Sequence, residues 1–434
     1  MNGRDSRRDY AVKSLSRYWP RMEEVVAALP IPQVDFDSEW SWPPRGVEVS
    51  LPEWAADLGV RGRLLVPAQA VLSGDDPAWR RTDWLMAAFW YLTGAGERRV
   101  EQLHGPIHSY ASRLRGWDKR FWNRAWVNRM ALFLRRWAAR EKGMDEIALF
   151  GLLPETEIIL THDVDAVAKT MALRGKGTVW LCLRVLPGLA MNDRTRFLSL
   201  GRQAADFFTS RANYWCFDQI KELEDPAGVR SHFNFYGGPG GWKRTPRQWL
   251  LDPGYSVFDR DVQSEIKELH QGGWTIGLHQ SFAAWNQAGP MAEEKTRVEE
   301  ALGAPVVGCR QHWLRFSWMT TWKAQQEAGL CLDTTLGFND QPGFRNGAAL
   351  CFHPWDQAEG RPLAMEALPM VLMDSHLYGH DVTNEEERMA RMKYWIDEVR
   401  LVRGTATINW HQHTMSPDYG WAEGYQRLLE LITG

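Results

Sequence analysis

Short apolar runs in this chain repeatedly end on side chains that can move protons or hold a metal ion. The first is Ile158-Ile159-Leu160-Thr161, which leads straight into His162-Asp163-Val164-Asp165. Ionisable groups at the end of a buried strand must be paired, hydrogen-bonded or metal-bound, because an isolated buried charge is costly. The run reads as one wall of an active site, or as a strand followed by an acidic turn in which Asp165 caps a helix. Further strand-like runs end at His279-Gln280-Ser281, Arg310-Gln311-His312, Asp333-Thr334-Thr335, Asp374-Ser375-His376 and His411-Gln412-His413, and this repetition favours the first reading. Amide hydrolysis needs an activated water, a Lewis acid, an oxyanion stabiliser and an acid for the leaving amine. A His/Asp set with an open position suits a catalytic zinc. Bound metal lowers the pKa of its water to about 7. A carboxylate can take the water's proton and an imidazole can protonate the amine.

These side chains need elements that converge them. About seven short strands are legible, including Arg230–Tyr236, Trp274–Leu278, Pro305–Cys309, Gly329–Leu332, Pro369–Met373 and Thr405–Trp410. On a regular strand residues 163 and 165 share a face, which permits joint service at one site. Helical stretches separate several strands. Asp261–Gln271 carries Val262, Ile266 and Leu269 on one face, and Met291–Leu302 and Trp318–Ala328 follow. Strand, functional residue, helix, strand is the grammar of an α/β barrel with its site at the C-terminal ends of the strands. An open doubly wound sheet is the alternative. The loop Gly237-Gly238-Pro239-Gly240-Gly241 is broken by proline and opens no helix, so it does not read as a phosphate cradle.

Five motifs carry a family resemblance. Thr161-His162-Asp163-Val164-Asp165 is similar to the THDVD form of a TFDDG motif. His279-Gln280-Ser281-Phe282-Ala283 keeps the first of two histidines four residues apart. Arg310-Gln311-His312-Trp313 stands for Arg-x-Pro-Tyr, Asp333-Thr334-Thr335-Leu336-Gly337-Phe338 for a fourth motif, and Ile408-Asn409-Trp410-His411 for a strand ending in His. In this order, from about Glu155 to the C-terminus, the chain resembles the polysaccharide deacetylases, the chitooligosaccharide deacetylase-like enzymes of carbohydrate esterase family 4. The resemblance implies a distorted (β/α)7-type barrel that removes acetyl groups from sugars. It implies Asp163 as general base and Arg310 as its orienting partner. The backbone N–H of Trp313 becomes the oxyanion donor, His411 the general acid and His279 a metal ligand. Asp333 supports the acid-side histidine or the groove. The usual metal aspartate aligns with Val164, so Asp165 takes that role, ahead of His162. The second metal histidine aligns with Ala283. A third ligand is therefore expected from His312, at the family's proline position, or from His413, two residues past His411 on the same strand face. The implied cofactor is a divalent metal, zinc first, with nickel or cobalt also suitable.

The expected function is removal of an acetyl group from an N-acetylated saccharide or glycan precursor. The displaced aspartate and the missing histidine motivate an alternative, a catalytically inactive saccharide-binding or scaffold barrel. A metal-free amidase on a non-sugar amide is a further option.

Length favours two domains. The expectation is an accessory region over 1–150, helix-rich from about 83, and the barrel over 151–434. Trp84–Leu92 and Trp117–Trp137 read as helices, and Gly62–Val66 as a strand. The second helix carries Arg120, Arg124, Arg129, Arg135, Arg136 and Arg140 among its aromatics. It reads as aromatics packed inward with solvated arginines, or as a surface for an anionic glycan or membrane. The stretch from Asp83 to Gly143 also resembles a region often attached to the THDVD branch. The first 150 residues sum to about +4 and the remainder to about −7, with no basic stripe suited to nucleic acid.

Five cysteines without paired spacing, Cys182, Cys216, Cys309, Cys331 and Cys351, read as reduced core thiols. The charged N-terminus lacks a signal-peptide core. The most apolar segment, Val179–Met191, is short for a membrane span. A cytoplasmic location follows as the expectation, with peripheral membrane contact allowed.

Of 24 tryptophans, Trp242, Trp249, Trp274, Trp285, Trp313, Trp355 and Trp410 fall near strand ends or loops and are candidates to stack on sugar. His353-Pro354-Trp355-Asp356, after the loop from Gly337 to Leu350, reads as a substrate flap or a packed loop. Asp374 to His380 reads as site rim or structure, and Glu293 and Glu294 as solvated helix residues.

Overall fold

The computed structural model describes residues 3–35, 43–171, 173–175, 178, 201–202, 205–241, 244–378 and 384–434. Cys182, Trp242, His380 and the segment 179–191 lie outside them. Twelve strands are found among the described residues. They are β1 (Gly46–Ser50), β2 (Arg63–Pro67), β3 (Glu157–Val164), β4 (His232–Tyr236), β5 (Thr275–Gln280), β6 (Gly308–Gln311), β7 (Leu332–Asp333), β8 (Trp355–Asp356), β9 (Arg361–Pro362), β10 (Glu366–Ala367), β11 (Met370–Met373) and β12 (Thr405–Asn409). Eight of them form a curled half-barrel sheet in the order β10-β7-β6-β5-β4-β3-β12-β11. The pairs β3–β4, β4–β5, β6–β7 and β7–β10 are parallel. The expected α/β class and distorted-barrel architecture stand, as a curled half-barrel.

The described residues divide into two compact units that do not follow chain order. One comprises 1–159, 283–292 and 307–408, and the other 160–282, 293–306 and 409–434.

In the second unit, β3, β4 and β5 lie in register, with Asp163 opposite Asn234 and Tyr236 opposite His279. The β-branched and aromatic character of these strands suits a sheet buried on both faces. Behind β5 packs the helix Arg260–Gln271, whose Val262, Ile266 and Leu269 are buried as their spacing predicts. Strand alternation turns His162 away from Asp163. His162 is fully buried. Its Nδ1 lies 2.6 Å from Trp410 O, and its Nε2 3.2 Å from Glu224 Oε1 and 3.1 Å from the Tyr425 hydroxyl. Trp274 Nε1 also donates to Glu224, at 2.6 Å. This is a structural network, so the metal-ligand option for His162 is withdrawn.

In the first unit, Trp84–Leu92 is a helix as expected, entirely buried and capped by Asp83, which accepts from Met86 N–H at 3.1 Å. The second basic helix begins only at Trp126 and runs to Glu141. Its arginines are not uniformly solvated. Arg129 is buried in a bidentate pair with Glu398, at 2.8 and 2.7 Å. Arg135 is buried with its guanidinium on the backbone carbonyls of Tyr18, Glu146 and Gly151. A basic helix thus serves as an internal beam.

The loop from Gly337 to Leu350 is mostly buried, with Arg345 paired to Glu97 at 2.8 Å, and Trp355-Asp356 pairs with β9. The packed-loop reading is the one observed. Trp274, Trp355 and Trp410 are core residues, whereas Trp249 and Trp313 are 46% and 49% exposed. His376 is structural, accepting from Met373 N–H at 3.1 Å and donating to Phe338 O at 3.0 Å. Cys216 and Cys309 are buried, Cys351 is half-buried and Cys331 exposed. No helix among the described residues is long and apolar enough to cross a membrane.

Candidate active site

Four of the expected side chains meet within the second unit. β3 presents Asp163 next to its last residue, and Asp165 stands just beyond the strand end. His279 projects from β5. His411 lies two residues past β12, where it caps a 3-10 turn over Gln412–Met415. His279 Nε2 is 3.2 Å from Asp165 Oδ1, and its Nδ1 is 3.8 Å from Asp163 Oδ1. His411 Nε2 is 3.8 Å from Asp165 Oδ2. The group is graded in access: the Asp163 and His279 side chains are 5% and 2% exposed, while Asp165 and His411 are 27% and 20% exposed. The two inner groups are shielded and the two outer ones face incoming molecules.

Asp163 is clamped by two side chains that sequence reasoning missed. Asn234 Nδ2 donates to its Oδ1 at 3.0 Å and Asn409 Nδ2 to its Oδ2 at 3.1 Å. Thr161 Oγ1 lies 3.1 Å from Asn409 Oδ1, which turns the amide N–H₂ toward Asp163. Both asparagines lie in strands next to β3, and Asn234 sits among aromatics in His232–Tyr236. A buried amide in such a run needs a partner, and that was the available signal.

The frame around the group is rigid. The Tyr255 hydroxyl donates to Val164 O at 2.9 Å and accepts from Tyr236 N–H at 2.7 Å, tying the ends of β3 and β4. Burial, with Asp165 and Asp163 adding to it, keeps that phenol protonated far above its usual range. After His279, Ser281 N–H donates to Glu294 at 2.9 Å and Phe282 N–H to Asp252 at 2.7 Å. Glu294 is therefore a buried anchor and not a solvated residue, and burial pushes its carboxyl up to about 7. Glu293, its neighbour, is exposed.

The remaining expected residues lie in the first unit, apart from His413. Arg310 is fully buried and donates to Thr334 O at 3.1 Å and to Thr407 Oγ1 at 3.3 Å. His312 follows β6 and opens a turn in which Trp313 and Leu314 are both left-handed, with φ of 59° and 46°. Asp333 is fully buried and accepts from Trp322 Nε1 at 2.9 Å, Gln325 Nε2 at 3.0 Å and Thr335 Oγ1 at 2.5 Å. Those bonds anchor β7 to its neighbouring helix. The expected support of a catalytic histidine by Asp333 is corrected accordingly. His413 belongs to the second unit. β12 ends at Asn409, so strand alternation no longer relates residue 413 to His411, and its ring stacks on Tyr214 at 5.9 Å and meets Tyr419 edge-on at 5.1 Å.

Donor atoms on a four-coordinate zinc at about 2.0–2.2 Å lie roughly 3.3–3.6 Å apart. The 3.2 Å between Asp165 and His279 fits one edge of such a polyhedron, and carboxylate plus imidazole is a suitable donor pair. A separate acidic group, Asp218, Glu265 and Glu268, gathers around the Lys221 ammonium at 2.9, 3.0 and 2.5 Å.

No family model matches the chain, and no curated protein matches it. Solved structures with similarity include a Mycobacterium smegmatis protein assigned to the polysaccharide deacetylases, at 14% identity and TM-score 0.37, covering 64% of this chain and 84% of that one. A polysaccharide deacetylase from Bacillus cereus matches at 9% identity and TM-score 0.31, covering 64% and 87%. A pseudoenzyme of carbohydrate esterase family 4 from Bacillus anthracis matches at 10% identity and TM-score 0.26, covering 64% and 60%. Likeness of this size carries no argument for activity or substrate.

Proposed function

We propose that this chain is a metal-dependent hydrolase that removes an acetyl group from an N-acetylated saccharide or glycan precursor. The observation that supports it is the convergence of Asp163, Asp165, His279 and His411, two carboxylates and two imidazoles from three strand ends, within 3.2–3.8 Å contacts. In this reading Asp165 and His279 hold a divalent cation, zinc first, and His312, at the family's proline position, is proposed as the third ligand. When bound, the cation lowers the pKa of a water toward about 7 and draws charge from the acyl oxygen. Asp163 takes the water's proton. The two asparagine amides keep its carboxylate oriented, and Arg310 is proposed as its ionic partner. The Trp313 N–H receives the developing oxyanion, and removing such a donor typically costs about 10²–10³ in kcat. His411, the more open imidazole, protonates the departing amine. The exposed Trp249 and Trp313 indoles suit stacking on a sugar face.

Metal content by mass spectrometry, together with acetate release from N-acetylated oligosaccharides, tests the reading. About one zinc, nickel or cobalt per chain is expected in the wild type and none in His279→Ala. Asp163→Asn is expected to abolish acetate release while leaving the fold intact; unchanged turnover in that variant sinks the assignment of the base.

A metal-free reading is favoured by one observation, that the two ring nitrogens of His279 each face a carboxylate, Asp163 and Asp165. Turnover that survives exhaustive chelation would select it.

A further inference from the structure

Two pairs of consecutive non-glycine residues hold left-handed backbone in the first unit. They are His108–Ser109, with φ of 48° and 65°, and Trp313–Leu314, with φ of 59° and 46°. Such conformations are unfavourable for residues with a Cβ and persist only where the surroundings over-determine them. Here each pair is fixed by the other and by one loop between them. Ser109 Oγ donates to Leu314 O at 2.6 Å. Asn339 Nδ2 donates to Trp313 O at 2.8 Å, while its backbone N–H donates to Ser109 O at 2.8 Å. Arg345 Nη1 donates to Ser109 Oγ at 2.6 Å and to Gly337 O at 3.0 Å. On the other side, Arg315 Nη2 lies 3.0 Å from His108 Nε2. Burial, then the neighbouring Arg315, lowers the His108 pKa to about 4, so its ring is a neutral acceptor. Asp340 adds a brace by accepting from Ala111 and Ser112 N–H, both at 2.9 Å.

The two captured carbonyls are those of the two left-handed residues of the Trp313 turn. Peptide planes are rigid, so holding these two carbonyls fixes the dihedrals of Leu314, and the His312 carbonyl, which shares a plane with the Trp313 N–H and accepts from Arg315 N–H at 3.4 Å, completes the set that fixes the dihedrals of Trp313. The direction of the Trp313 N–H then follows from its φ. We propose that His108–Ser109, with Asn339, is a positioning clamp that holds the Trp313 N–H in the orientation an oxyanion donor requires. The proposal rests on the hydrolase reading above and gives the N-terminal region a task in the reaction. None of the clamp residues is assigned contact with substrate. Ser109 is fully buried and Asn339 only half-buried.

Ser109→Ala and Asn339→Ala are each expected to lower kcat for acetate release by about 10- to 100-fold, because small misplacements of catalytic groups are that costly. KM is expected to stay nearly constant. A loss of kcat/KM carried by KM alone counts against the clamp. Crystal structures of Ser109→Ala and Asn339→Ala decide the backbone question without any substrate. Departure of residues 313–314 from the left-handed region supports the proposal, and an unchanged turn in both variants overturns it. Should the wild type release no acetate, the hydrolase reading fails, and the two crystal structures still decide the clamp.

Discussion

Glu294→Gln is expected to make the protein more stable in mild alkali and to remove a step in its pH–stability profile. Glu294 is 4% exposed, and burial raises its carboxyl from 4.5 to about 7. Asp252 adds to the rise, while Ser281 and Arg297 oppose it. The unfolded chain loses this proton near 4.5 and the folded chain only near 7. Between those values the folded state binds more protons, so stability falls as pH rises. A difference of about 2.5 units corresponds to about 3 kcal/mol, fully lost above pH 7 and fully retained below 4.5. Glutamine keeps an oxygen for the Ser281 N–H and carries no charge. Urea unfolding at pH 5 and pH 8 measures the effect. The wild type is expected to lose up to about 3 kcal/mol between the two, and Glu294→Gln far less. Identical pH dependence in both proteins would refute the claim that this carboxyl is held neutral by its surroundings.

Other outcomes follow from the same contacts. Asn234→Ala removes one of the two donors on Asp163, and kcat for acetate release is expected to fall by about 10- to 100-fold with the fold retained; steady-state kinetics check it. Glu224→Ala leaves His162, Trp274 Nε1, Ser231 and the Tyr425 hydroxyl without their shared acceptor, and a loss of about 3–5 kcal/mol is expected in denaturant unfolding. Burial raises the Glu224 carboxyl, but the bonds from His162, Tyr425 and Trp274 outweigh it and hold it low. That stabilisation is present above the ordinary carboxylate pKa and is lost on acidification. An acid-unfolding midpoint unchanged in Glu224→Gln would contradict this.

The strand framework was legible because its runs are short, apolar and end on polar clusters. β3, β4, β5, β11 and β12 fall where the alternation and β-branched content place them. The convergence of Asp163, Asp165, His279 and His411 follows from that framework. His162 could have been assigned correctly too, since the argument that puts 163 and 165 on one face puts 162 on the other. Glu294 was misread because a helix rich in charge looks solvated, and only the position of Ser281 shows that one of its carboxylates faces inward. The arginines of Trp126–Glu141 misled for a similar reason, as Glu398, the partner of Arg129, lies 269 residues away. The left-handed turn at Trp313 carries no glycine or asparagine to announce it. Its carbonyls are captured by Ser109 and Asn339, both distant in sequence.

The bidentate pairing of Arg345 with Glu97 has a consequence for how this chain can be inherited. Both side chains are essentially sealed from water, and the guanidinium also serves Ser109 and Gly337. A recombination event that carried off only the C-terminal sheet would import a cation into its interior with no counter-charge to meet it. Such a fragment would survive only with a compensating change at position 345. The two ends of this chain are therefore expected to travel between genomes as one piece, despite reading in sequence as an appendage and a catalytic module.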